Sequence, residues 1–131
     1  MTDSVQIEAG RIGKVVYARM APNEDLVQGI EEICVAQGLR HALVRSGLGS
    51  LVDACLDLPG GTRQPVIGPA VEVLSLFGDV RAQPDGTLRA DLSGVVVDAA
   101  GRVVSGVFVA GANLVFATFE VTLEEWLPEA A

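Results

Sequence analysis

Three features of the sequence predict a single α+β domain. It has one amphipathic helical segment, a succession of runs rich in β-branched residues, and turn residues close enough together for antiparallel connections. The expected architecture is a mostly antiparallel β-sheet of six to seven strands with one main flanking α-helix. The chain has 131 residues, the size of one domain. Half are hydrophobic and only 5% aromatic, so the core is expected to consist mainly of Val, Leu, Ile and Ala. No internal repeat, low-complexity tract or linker divides the chain. Residues 1–10 are polar and are assigned to a flexible N-terminus, with the domain proper over 11–127.

The first strand candidate is KVVYARM, residues 14–20. The helix follows in APNEDLVQGIEEICVAQGL. Asn23 is the expected N-cap, with Glu24 and Asp25 in the first turn where the helix dipole favours them. Leu26, Ile30, Ile33, Cys34 and Gln37 follow helical spacing and form one stripe. Glu31 and Glu32 are assigned to the solvated face. Gly38 is placed to end the helix. Beyond it the pattern changes to strands and turns. RHALVRSG and SLVDACLDL are strands joined through Leu48-Gly49, and PGGTRQPVIGP is a loop. AVEVLSLFGDV is a strand and QPDG a turn. A hairpin and the closing strand NLVFATFEVTL complete the chain.

The hairpin, LRADLSGVVVDAAGRVVSGVFVAG over residues 88–111, carries the most positional information. Side chains alternate along a strand, so Asp91, Ser93, Val95 and Val97 share one face. Two registers are open. An unbulged ladder across Asp98–Gly101 sets Asp91 against Phe108. A three-residue loop with Gly101 left-handed sets Ser93 against Val107 and Asp91 against Val109. The second is favoured, because Gly101 is the residue that a left-handed loop position requires. In that register Asp91, Ser93 and Val107 converge. Three histidines there would suit zinc; a carboxylate, a hydroxyl and an isopropyl group do not.

Charge bounds the partners. The net charge is −8, Lys14 is the only lysine and the eight arginines are scattered. An acidic surface repels phosphate backbones, so direct DNA binding by this chain alone is disfavoured. The N-terminus lacks the apolar core of a signal peptide, and no apolar run reaches the ~18 residues of a membrane span. A cytoplasmic protein with no membrane association is expected. Cys34 and Cys55, without a CxxC or a nearby histidine, are expected to be buried free thiols.

Other candidates are weighed singly. Arg19 has two readings, a structural ion pair or a contact to Glu72 or an anionic ligand. Glu72 lies in an apolar strand, where a carboxylate needs a partner or a raised pKa. Glu120 is similar but expected to be exposed. His41, the only histidine, reads as a hydrogen-bonded structural residue. Ser46-Gly47-Leu48-Gly49-Ser50 is a turn rather than a phosphate cradle, since no Gly-x-Gly-x-x-Gly leads into a helix. No nucleophile–base arrangement is supported.

Four segments carry a family resemblance: YARMAPNEDLVQGIEEICVAQGL, SGLGSLVDACL, VEVLSLFGDV and VVVDAAGRVVSGVFVAGANLVFATFEVTL. In this order and spacing they resemble the plants and prokaryotes conserved domain (PPC or PCC), over residues 11–125. The resemblance implies an antiparallel sheet with a flanking helix, assembled as a homotrimer. In plants the domain accompanies AT-hooks and mediates self-association. Prokaryotic members are often stand-alone and carry a DNA-binding label. Many have a His-x-His on the first hairpin strand and a Gly-Gly-His on the second, a trio able to hold a metal, on a fold similar to zinc-dependent acetolactate decarboxylases. Here those positions are Asp91, Ser93 and Val107, and no AT-hook is present.

The expected function is therefore a non-catalytic trimeric module with a degenerate metal site. It would bind a small molecule or protein partner in an inter-subunit cleft, with no cofactor. Arg19, Glu72, Asp91, Ser93 and Val107 are the candidate ligand-binding residues. Behind it stand a DNA-associated regulator, as the family label suggests, and a carboxylate–arginine enzyme built on Arg19, Glu72 and Asp91.

Overall fold

The structure is a computed structural model, and it describes residues 4–130. Eight strands and one helix follow in the order β1 (Gly10–Met20), α1 (Leu26–Gln37), β2 (His41–Leu51), β3 (Ala54–Asp57), β4 (Arg63–Val66), β5 (Val71–Ala82), β6 (Leu88–Val97), β7 (Val103–Phe108) and β8 (Val115–Pro128). They form one antiparallel sheet in the order β1-β8-β2-β5-β6-β7-β3-β4. The α+β expectation holds, with eight strands rather than six or seven. The additional one is β4, four residues inside the glycine- and proline-rich stretch read as a loop. Its Pro65 lacks a donor, and the strand lies on the sheet edge, where that is tolerated.

Alternation divides the sheet into two faces. Val71, Val73, Leu76 and Val80 on β5 and Leu92 and Val96 on β6 are buried beside Phe119, Val121 and Leu123 of β8. Leu26, Val27, Ile30 and Cys34 of α1 pack into the same core. This core also takes Met20 from β1 and Leu56 and Val66 from β3 and β4, so the sheet curls around one interior. Bulges on β1, β2 and β5 supply local bends. Each fully buried Leu or Phe contributes roughly 1.5–3 kcal/mol of transfer free energy. The opposite face carries no helix among the described residues.

The helix start differs from expectation. Asp25, not Asn23, is the N-cap: its Oδ2 accepts from Gln28 N at 2.9 Å. Asn23 instead takes a left-handed φ of 69°, and its N–H donates to the Val115 carbonyl. Glu24 lies outside the first turn, and its Oε2 accepts from Ala21 N at 2.6 Å. Gly38 ends the helix in a left-handed conformation, as expected. Ile33 is half-buried and Gln37 exposed, so the stripe is narrower than its spacing implied. Glu31 is not free on an outer face: its Oε2 accepts from Ala90 N at 2.9 Å, a β6 donor beyond the paired length of β7.

The junction between helix and sheet depends on one buried amide. Asn113 is fully buried. Its Oδ1 accepts from Cys55 N at 2.9 Å, and its Nδ2 donates to the Cys55 and Val109 carbonyls at 3.0 and 2.9 Å. Its backbone N–H donates to Asp25 Oδ1 at 3.0 Å. The N-cap, β3 and the turn after β7 thus share one polar knot. The described helices contain none long and apolar enough to cross a membrane.

Candidate functional site

The hairpin has the favoured register. Ser93 opposes Val107, Val95 opposes Ser105 and Val97 opposes Val103. Gly101 has φ 82°, and its N–H donates to the Asp98 carbonyl at 3.0 Å, closing the loop. Asp98 reinforces it by accepting from the Ala100 and Arg102 amides at 3.0 and 2.9 Å. Gly94 and Gly106 face each other on the core side of the same ladder. There the Phe108 ring fills the space that a Gly94 side chain would need.

Pairing onward from the hairpin builds two rows on the open face of the sheet. One runs Phe77, Ser93, Val107, Asp57 and Arg63 across β5, β6, β7, β3 and β4. The other runs Ser75, Val95 and Ser105. Between these rows and the β3–β4 turn lies a cleft of about 450 Å³. Phe77, Val95 and Val107 give it an apolar lining, Ser93 and Ser105 supply hydroxyls, and Asp57, Leu58 and Pro59 close one side. Its one ionisable lining side chain is already matched. Arg63 Nε and Nη2 donate to Asp57 Oδ1 and Oδ2 at 2.8 and 3.2 Å. That guanidinium holds the Asp57 carboxyl below the usual carboxylate range.

The five candidate residues divide unevenly. Ser93 and Val107 line the cleft together. Asp91 shares their face but does not line the cleft, and it does not oppose Val109. β7 leaves β6 after Val107, and the Val109 N–H donates to the Cys55 carbonyl instead. Asp91 opposes Asp79 of β5 and pairs with Arg89 Nε at 3.3 Å, with its side chain 62% exposed. Glu72 is exposed on the same face, opposite Val97 and Ser50; its buried neighbours Val71 and Val73 belong to the other face, so there is no buried carboxylate. Arg19 lies on β1, four strand spacings from β6 and three from β5, or roughly 19 and 14 Å. It pairs with Glu120 at 3.0 Å, not with Glu72, so the ion-pair reading stands. Glu120 is half-buried rather than exposed.

His41 is not hydrogen-bonded as expected. Its buried Nε2 lies 3.4 Å from Asp79 Oδ2 without hydrogen-bond geometry, and Arg81 Nε donates to the same oxygen at 2.6 Å. Both thiols are free. Cys34 is buried, and burial, assisted by Glu31, pushes its thiol up to about 11; Cys55 is partly exposed. Sequence reasoning missed Phe77, Val95, Ser105 and Asp57. The favoured register already set Ser105 against Val95, but nothing local ties β3 to the hairpin.

A family model for the Plants and Prokaryotes Conserved (PCC) domain matches residues 7–127. The chain belongs to this family. The PPC protein of Pyrococcus horikoshii has the same fold, with a TM-score of 0.80 at 24% identity over 95% of this chain and 87% of that one. A metal-containing protein of Archaeoglobus fulgidus gives 0.79 at 24% identity over 96% and 89%. The chain is also 33% identical over 114 residues to the bifunctional protein GlmU of a Synechococcus strain, JA-3-3Ab. That match takes in 87% of this chain but spans only 17% of the length of the relative.

The metal-containing PPC-fold structure poses a test for this chain's own residues. The hairpin positions offer an exposed aspartate bound to an arginine, a serine and a valine. Among the described residues, no group of three His, Cys, Asp or Glu side chains is placed to hold a metal ion. Valine has no lone pair to donate, and a serine hydroxyl is a poor zinc ligand. The residues do not fit a metal centre.

Proposed function

We propose that this PPC-family chain is a non-catalytic homotrimeric module that takes a small molecule in a cleft between protomers. The observation that carries the reading is the cleft itself. It occupies the hairpin face, is lined by Ser93, Val95, Ser105 and Val107, and contains no acid–base pair. The same open face presents Tyr17, Leu48, Leu74 and Phe77 to solvent, with Leu48 at 67% exposure. Large apolar side chains spread over one unshielded sheet face favour burial against another chain. A neighbouring protomer on that face would wall the cleft and make it deeper.

The similarity to GlmU supports a modular role. The matched stretch is 17% of the length of a relative named as a bifunctional protein. The family's DNA-binding label is the weaker reading here. Three chains would carry −24, three times the net charge of −8, against an anionic polymer.

Sedimentation velocity tests the assembly. The native chain is expected to run as a trimer at micromolar concentration. Leu48→Asp, an exposed change with no buried contact to lose, is expected to shift the population to monomers while leaving the circular dichroism spectrum unchanged. A monomeric native chain would rule out an inter-subunit cleft.

A further inference from the structure

Resting on the proposed binding role of this cleft, we infer that its ligand is an uncharged organic molecule with an apolar body and at least one hydroxyl or carbonyl group. The cleft's chemistry selects for that class by what it can satisfy and what it cannot. Three surfaces are apolar: Val95 at the centre, Val107 across β7 and the half-exposed Phe77 ring on β5. A compact apolar body or ring displaces water from all three, and the Phe77 face adds an aromatic contact. Ser93 precedes Val95 by two residues on the same strand face, and Ser105 opposes Val95 directly. Their hydroxyls therefore flank the apolar centre. A hydroxyl both donates and accepts, so the pair can serve an alcohol or a ketone equally.

Charged ligands meet no free counter-charge. Both carboxylate oxygens of Asp57 already accept from Arg63, whose positive charge offsets the attraction that a ligand ammonium would feel. Among the described residues, the lining contains no arginine, lysine or histidine to receive a carboxylate or phosphate. An unmatched charge gives up hydration in such a site that a neutral isostere does not have to give up. The preference for neutral ligands should therefore be strong even when the contacts are few.

The test uses three probes of nearly equal shape: benzyl alcohol, benzoate and benzylammonium, each titrated into the ¹⁵N-labelled full chain. The amides of Ser93, Val95, Ser105 and Val107 report binding. Benzyl alcohol is expected to shift these amides and to bind at least about 10-fold tighter than either ion. Ser93→Ala with Ser105→Ala is expected to weaken it roughly 5- to 10-fold without changing the dispersion of the spectrum. Benzoate or benzylammonium binding as tightly at the same amides would overturn the neutral-ligand inference while leaving the cleft as a binding site. If none of the three moves these amides, the binding role of the cleft fails together with the inference.

Discussion

Replacement of Asn113 with alanine is expected to lower the stability of the fold by about 3 kcal/mol, the largest single loss from any polar side chain in the core. Asn113 makes three side-chain hydrogen bonds, all to main-chain groups of Cys55 and Val109. The amide is fully buried, so water cannot replace it without opening the knot. Alanine would leave the Cys55 N–H without that acceptor, and each buried group left unpaired costs roughly 1–3 kcal/mol. Asn113→Asp is expected to be no milder. It keeps the acceptor for Cys55 N but sets a carboxylate oxygen against two carbonyls. It also places a second carboxylate beside Asp25, which accepts from the Asn113 amide. Urea denaturation followed by circular dichroism measures the loss. A change below about 1 kcal/mol for the alanine variant would mean that β3 and the helix N-terminus are held together by packing alone.

Gly94→Ala is expected to cost a comparable amount, about 3 kcal/mol, by overpacking rather than by loss of a bond. The added methyl group would lie 2.7 Å from Phe108 Cε2 and would run into the Ser75 carbonyl of the neighbouring strand. The ring can turn only within a filled core, and the carbonyl belongs to a central strand that cannot withdraw without breaking its ladder. The change sits directly beneath the cleft, since Gly94 lines it between Ser93 and Val95. Alongside the drop in the urea midpoint, the amides of Ser93 and Ser105 should therefore shift. A variant as stable as the native chain would show that β5 and β6 are free to slide apart at this point.

Part of the local chemistry was legible in the sequence, although Ser46-Gly47-Leu48-Gly49-Ser50, read as a turn, lies inside β2 and pairs with β8. The helix follows from the spacing of Leu26, Ile30 and Cys34 and from the stop at Gly38. The hairpin register follows from a single residue, Gly101, whose left-handed φ places Ser93 opposite Val107. What stayed hidden depends on pairings distant along the chain. Asp25 replaces Asn23 as the cap because Asn113, 88 residues away, donates to its carboxylate. β4 is a strand only because β3 offers it a partner. Glu72 looked buried from its neighbours, but Val71 and Val73 face one side of the sheet and its carboxylate the other. Asp91 sits in phase with Ser93, yet the departure of β7 after Val107 takes the cleft past it. Arg19 and Glu72 carry the right chemistry for a pair, but three strand spacings separate their strands.

Ser93 and Val107 line the cleft of this PPC-family chain and, on the proposed reading, face an organic ligand with no metal bound. Native mass spectrometry of the purified chain, exchanged into zinc-containing buffer and then desalted, reads mass and bound metal together. A metal-free species of three times the chain mass is expected. One zinc ion per chain, retained through desalting and lost on Ser93→Ala, would contradict that reading and return the site to metal chemistry.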